Sequence, residues 1–232
     1  MNEIVTATER AIGLLISGDP GLWAIIGISF SVSLRAILIA TPFALAVALL
    51  LTLGHFYGRR LLIAVFNASM AVPAVVVGLS IYLLLSRSGP FGDLKLLFTQ
   101  SAMVIGQILL AFPLLVAMAH SALQAAERSA WETALTLGAR PWRAMFTLMY
   151  EVRFALIAAI IAGFARIIAE VGCSMMVGGN ILNYTRNITT AIALETSKGE
   201  FAHGIALGLV LLALALTLNL LLNLMQGKGE LA

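Results

Sequence analysis

Cysteine is nearly absent from this chain, charge is sparse, and no run of like charge interrupts its apolar stretches. The single Cys173 excludes an internal disulfide and any cysteine-ligated metal or iron–sulfur centre, and it reads as a small buried thiol. Charged residues are only 11% of 232 positions, 14 Lys and Arg against 11 acids, with no basic tract of the kind that grips nucleic acid. The N-terminus carries Glu3 and Glu9 where a signal peptide needs basic residues, and the apolar run from Ala11 to Ile16 is too short for a signal core. The first true span is therefore expected to stay in the chain, and residues 1–21 to form an N-terminal segment with a short interfacial helix.

Catalytic patterns are missing too. There is no His-Glu-x-x-His, no Gly-x-Ser-x-Gly, and no Gly-x-x-x-x-Gly-Lys-Ser/Thr phosphate loop. His55, His120 and His203 share no helical ligand spacing, so neither a metal nor a haem is expected on this chain. These absences argue against an enzyme, and any use of ATP requires another subunit.

What remains is hydrophobicity. A chain that is 61% hydrophobic, with a mean hydropathy of +1.01, has too little polar surface for water and takes lipid as its solvent. A helical span needs about 20 apolar residues. Five stretches answer to that: Leu22 to Leu53, Leu61 to Leu85, Ala102 to Ala119, Phe154 to Ala169 and Ile205 to Leu224. Pro42, Pro73 and Pro113 fall inside three of them and predict kinks. Lys and Arg divide almost evenly between the two sides, so charge counting does not orient the chain. One membrane domain over residues 22–232 is the economical organisation.

Two intervals are neither spans nor simple turns. In the first, from Gln124 to Val152, Ser129-Ala130-Trp131-Glu132 has the form of a capping box, with Ser129 at the N-cap and Glu132 at N3. Gly138 can end that helix and Pro141 can open the next, giving a helix, a turn and a second helix just outside the membrane over about residues 127–145. Ala130, Ala134 and Gly138 recur at i, i+4, i+8, a spacing for close approach by another protein. The second interval, Gly172 to His203, holds Gly178-Gly179-Asn180 and Thr185-Arg186-Asn187 and fits a broken or re-entrant segment.

Glu132-Thr133-Ala134-Leu135-Thr136-Leu137-Gly138-Ala139, followed by Arg140, Trp142 and Arg143, resembles the EAA loop of ABC-transporter importer permeases. Thr133 replaces the second Ala of that pattern, and Tyr150-Glu151 stands where the family usually has Leu-Pro. The resemblance implies a cytoplasmic coupling helix between the third and fourth of five transmembrane helices in an all-α membrane protein. Ser129, Trp131, Glu132, Thr133, Ala134, Leu137, Gly138, Ala139 and Arg140 would then meet the ATPase partner.

A second stretch is similar to the molybdate, sulfate and tungstate permeases, the tungstate group most of all. It runs through Ala169-Glu170-Val171-Gly172, Val177-Gly178-Gly179-Asn180-Ile181, Thr189-Thr190 and Glu195-Thr196-Ser197-Lys198-Gly199-Glu200. What this implies is a homodimer of permease chains in the cell membrane, the inner one in a Gram-negative cell. Two ATP-binding cassette subunits would carry ATP and Mg, and an extracytoplasmic oxyanion-binding protein would deliver tungstate, or alternatively molybdate or sulfate. The N-terminus would lie outside and the C-terminus in the cytoplasm.

Ionisable groups inside spans are functional candidates by default, and here they are Arg35, Arg166 and Glu170. Arg166 and Glu170, four apart, share a helical face, though Glu170 could instead pair with Arg35. They either line a path for an anion or lock helices together. Met175 and Met176, beside Gly178, Gly179 and Asn180, either form a constriction or fill the core. The rival of another class, an ion-coupled secondary transporter, would need inverted repeats and intramembrane acids; no repeat is evident, and Glu170 is the one acid.

Overall fold

The computed structural model describes residues 2–126 and 128–226, with side chains for 8–126 and 131–224. The described residues form eleven α-helices and no strand. In chain order they are α1 (Asn2–Ser17), α2 (Pro20–Leu53), α3 (Arg59–Ser69), α4 (Ala74–Leu85), α5 (Gln100–Ala125), α6 (Arg128–Thr136), α7 (Pro141–Glu151), α8 (Arg153–Ile168), α9 (Gly172–Gly178), α10 (Ile188–Lys198) and α11 (Phe201–Gln226).

The long helices form where apolar residues run without interruption. Pro20 opens α2 at its first position and the Asp19 carboxylate accepts from Leu22 N–H at 2.8 Å, so this 34-residue helix starts with a satisfied cap. Thr99 caps α5 in the same way through Ala102 N–H. Pro42 and Pro113 each stay inside a continuous helix, α2 and α5, because packing between these two helices carries the chain past the missing donor.

Among the described residues, three helices are long and apolar enough to cross a membrane: Pro20–Leu53, Gln100–Ala125 and Phe201–Leu224. Leu61 to Leu85 is not one continuous span as expected. It splits into α3 and α4, bent by 100° between them. Pro73 explains the break, since it disfavours helical geometry at Val72 and itself sits extended at φ −63°, ψ 130° as the N-cap of α4. The fourth expected span, Phe154 to Ala169, matches α8 to within one residue at each end, and α9 continues it after a 60° bend. Counting each bent pair as one span gives five.

The two breaks meet. A Cβ placed on Gly172, at the start of α9, would come 2.5 Å from Val75 Cγ2 at the start of α4. Gly78 on α4 and Gly106 on α5 both abut Cys173, so closely that a Cβ would approach its Cα to 2.8 Å and its Sγ to 2.5 Å respectively. Small residues here let three helix backbones converge, which in lipid substitutes for the hydrophobic drive that water supplies elsewhere. The surrounding core includes Val32, Ala36, Ile37, Met103, Leu115, Ile167 and Val177. A second cluster, Ala11, Leu22, Ile25, Ile26, Ile188, Ala191, Ala206 and Leu207, ties α1 and α10 to α2 and α11. The N-terminal helix is thus longer than Ala11 to Ile16 and seats Ala11 against other helices.

Candidate translocation and coupling site

At the end of α8 the chain leaves helical geometry at Ala169 and re-enters it at Gly172. Glu170 stands in that gap and organises it. Its Oε2 accepts from Arg166 Nη1 at 2.8 Å, and its Oε1 accepts from the backbone N–H groups of Gly172 at 2.8 Å and Cys173 at 3.4 Å. Its own carbonyl accepts from the Thr189 hydroxyl at 2.9 Å, which draws the start of α10 to the break. Of the two partners open to Glu170, the structure takes Arg166. The pair is asymmetric: the Glu170 side chain is 9% exposed and that of Arg166 is 46% exposed.

Arg35 lies apart from this pair. Its Nη2 donates to Gln100 Oε1 at 2.6 Å and its Nε to the Ser31 carbonyl at 2.9 Å, while Gln100 Nε2 donates to the Tyr184 carbonyl at 2.7 Å. This links α2, the head of α5 and the loop after α9. Gly178 ends α9, and the same loop carries Gly179 and Asn180. The Thr185 hydroxyl donates to the Gly178 carbonyl at 2.5 Å and accepts from Ile181 N–H at 2.9 Å. Gly179 and Asn180 turn the chain at φ 68° and 52°, where glycine and asparagine are the tolerant residues. Arg186 reaches Glu195 at 3.9 Å, and Asn187 caps α10 through Thr190. Met176 packs beside Gly78, as core filling requires, whereas Met175 is exposed.

Two polar atoms near the break are buried without a protein partner. Gln107 donates through Nε2 to the Ile167 carbonyl at 3.3 Å, leaving Oε1 unpaired, and Ser174 Oγ on α9 is likewise unpaired. Gln100, Gln107 and Thr189 were missed in the sequence. Gln107 alone gave a readable signal, being a polar residue in the middle of an apolar span.

The second assembly is the hairpin of α6 and α7, which pack on each other. α6 begins at Arg128, so Ser129 lies in its first turn rather than at the N-cap; the Ser129 side chain and all of residue 127 lie outside the described residues. The C-terminus follows the expected pattern closely. Gly138 adopts φ 84°, its N–H donates to Leu135 O at 3.0 Å, and Ala139 N–H donates to Ala134 O at 2.9 Å, the paired bonds of a Schellman stop. Gly138 is therefore past the helix and leaves the small-residue face expected of Ala130, Ala134 and Gly138. Arg140 then caps α7, with Pro141 first inside it.

The outer surface of this hairpin is uncovered. Leu137 is 83% exposed, and Leu135, Trp142, Phe146 and Tyr150 are exposed as well. Glu132, Thr133 and Arg140 are exposed beside half-buried Trp131, Ala134 and Ala139. Arg143 lies 5.2 Å from the Trp142 ring centroid, and Trp142 meets Phe146 edge-on at 6.2 Å. An apolar patch of this kind, on a short polar hairpin held outside the long helices, has the character of a docking surface.

Long apolar helices and two bent helix pairs, with a short exposed hairpin attached, give the described residues the make-up of a multi-pass membrane protein. The chain belongs to the family described as the binding-protein-dependent transport system inner membrane component, whose profile matches residues 40–228. It is 36% identical over 219 residues to the tungstate uptake system permease protein TupB of Campylobacter jejuni, covering 94% of this chain and 92% of that one. A TupB from Peptoclostridium acidaminophilum is 37% identical over 226 residues, 97% of this chain and 99% of the relative. Among solved structures, a chain of an amino acid ABC transporter crystallised with histidines superposes with a TM-score of 0.66 at 15% identity, over 92% of this chain and 96% of that one, which shows the fold.

Proposed function

We propose that this chain is the permease of an ATP-driven tungstate importer, with the hairpin Arg128–Glu151 as its cytoplasmic coupling element. The observation that carries the reading is the uncovered surface of Leu135, Leu137, Trp142 and Phe146, in a chain whose relatives at 36–37% identity over nearly their whole length are tungstate permeases. In this reading two copies pair across a two-fold axis, each with five spans, and α3 with α4 and α8 with α9 act as broken ones. The N-terminus lies outside and the C-terminus inside. Two ATPase subunits bind ATP and Mg, and an extracytoplasmic oxyanion-binding protein delivers the substrate.

The permease makes and breaks no covalent bond. ATP closes the ATPase pair, the hairpin moves with it, and the motion reaches α8 because α7 runs into α8 with only Val152 between them. The α8–α9 break is where rigid helices can change their angle, since residues 169–171 lie outside both helices. Arg166 gives the path its positive charge for a dianion. Proteoliposomes holding this chain, the ATPase subunit and the binding protein are expected to accumulate tungstate only with ATP. Accumulation driven by an ion gradient without ATP would instead establish a secondary transporter.

A further inference from the structure

Resting on that permease reading, we propose that Glu170 is an internal stand-in for the transported oxyanion. It occupies Arg166 while the path is empty, and the oxyanion crosses by displacing it.

Three features of the pair carry this. First, the ion pair does not join two packed helices: Arg166 is on α8 and Glu170 is four residues on, in the gap that follows. It therefore contributes little to holding α8 against α2 or α5, the role a helix lock would need. Second, the grip is one-pronged. Oε2 meets Nη1 alone, because Oε1 is committed to Gly172 and Cys173 N–H. A guanidinium offers a planar fork of donors that matches two oxygens of a tetrahedral oxyanion at once, so a dianion bonds it better than this carboxylate does. Third, the exposure is lopsided: the Arg166 side chain is open at 46% and that of Glu170 is buried at 9%, so the cation is the member of the pair that an anion can contact.

The arrangement meets two opposing demands. An unpaired guanidinium at a helix end within the apolar span is unfavourable, and it would also hold a dianion too firmly for release. A carboxylate that returns to Arg166 as the anion leaves removes both problems. Because Glu170 sits in non-helical backbone, its withdrawal from Arg166 needs no helix to unwind.

The test is equilibrium dialysis of radiolabelled tungstate against the complete transporter in nanodiscs without binding protein, with ATP-driven uptake of the same variants measured separately in proteoliposomes supplied with binding protein. Glu170→Gln keeps an oxygen to accept from Gly172 N–H but lacks the charge. It is expected to bind tungstate on the order of tenfold more tightly than wild type, and to take it up more slowly. Adding Arg166→Gln to that variant should return binding to the weak wild-type level. If Glu170→Gln binds no more tightly, or the double variant binds as tightly as the single, the proposal is overturned. Should Glu170→Gln not assemble, Glu170→Asp carries the test: its shorter carboxylate should tighten binding by about threefold, and unchanged affinity overturns the proposal equally. Absence of ATP-driven uptake by wild type, with sulfate as second probe, would instead remove the permease reading beneath it.

Discussion

The α8–α9 break and the α6–α7 hairpin are both interruptions of helix, yet they are stabilised in opposite ways. At the break, the polar groups around Glu170 are used internally: Glu170 serves Arg166, Gly172 and Cys173, Thr189 serves Glu170, and Gly78 and Gly106 let neighbouring backbones close on Cys173. The hairpin is fixed by local devices, the Gly138 turn and Pro141, while its apolar side chains face outward. An interruption satisfied from within is a place where the fold itself can change state. One left open on its outer face is, in the proposed reading, where the partner subunit docks.

The sharpest way to break this contrast is to place a side chain at the buried site. Gly78→Val puts its Cβ within 2.8 Å of the Cys173 backbone, and a loss of about 3 kcal/mol or more is expected, read as a collapse in folded yield on size-exclusion chromatography. Leu137→Asp should do the reverse. The folded protein should keep its melting temperature, with stability changed by less than about 0.5 kcal/mol, because Leu137 is 83% exposed, while ATP-dependent uptake falls by roughly tenfold through lost docking. Equal loss of stability at both positions would erase the distinction.

A smaller effect is expected where the loop after α9 is tied to α2 and α5 by a single chain of bonds. Arg35→Gln removes the donor to Gln100 and loosens the loop around Tyr184, costing about 1 kcal/mol, measurable as faster amide exchange over residues 180–187. Asn180→Gly should change least. Glycine relaxes the φ of 52° but gives up the 3.4 Å bond to the Thr190 carbonyl, so melting temperatures should agree within about 0.5 kcal/mol of stability.

The hairpin was legible in the sequence because its signals are local: a glycine after a helical stretch and a proline three residues later need no tertiary context. The spans α2, α5 and α11 were legible because their apolar runs exceed what a membrane requires. The breaks were legible only in part: Pro73 marked a kink and Gly172 the start of a broken segment, but neither the 100° nor the 60° bend could be read, because the angle depends on packing rather than on the apolar count. The Arg166–Glu170 pair showed through its i, i+4 spacing, but the partners of Arg35 and Gln107 did not. Gln100 lies 65 residues from Arg35, Tyr184 lies 84 from Gln100, and Ile167 lies 60 from Gln107. Contacts across such separations depend on packing that the pattern along the chain does not encode.

The most direct test of the central claim, that the hairpin couples ATP hydrolysis to movement of an oxyanion through this permease, compares wild type with Gly138→Glu in proteoliposomes holding the full transporter. At φ 84° only glycine is relaxed, and a glutamate there both strains the turn and adds charge beside Leu137. The account predicts ATP-dependent tungstate accumulation by wild type, and an assembled variant that neither accumulates tungstate nor raises its ATP hydrolysis when loaded binding protein is added. Full uptake and full stimulation of hydrolysis by the variant would contradict it.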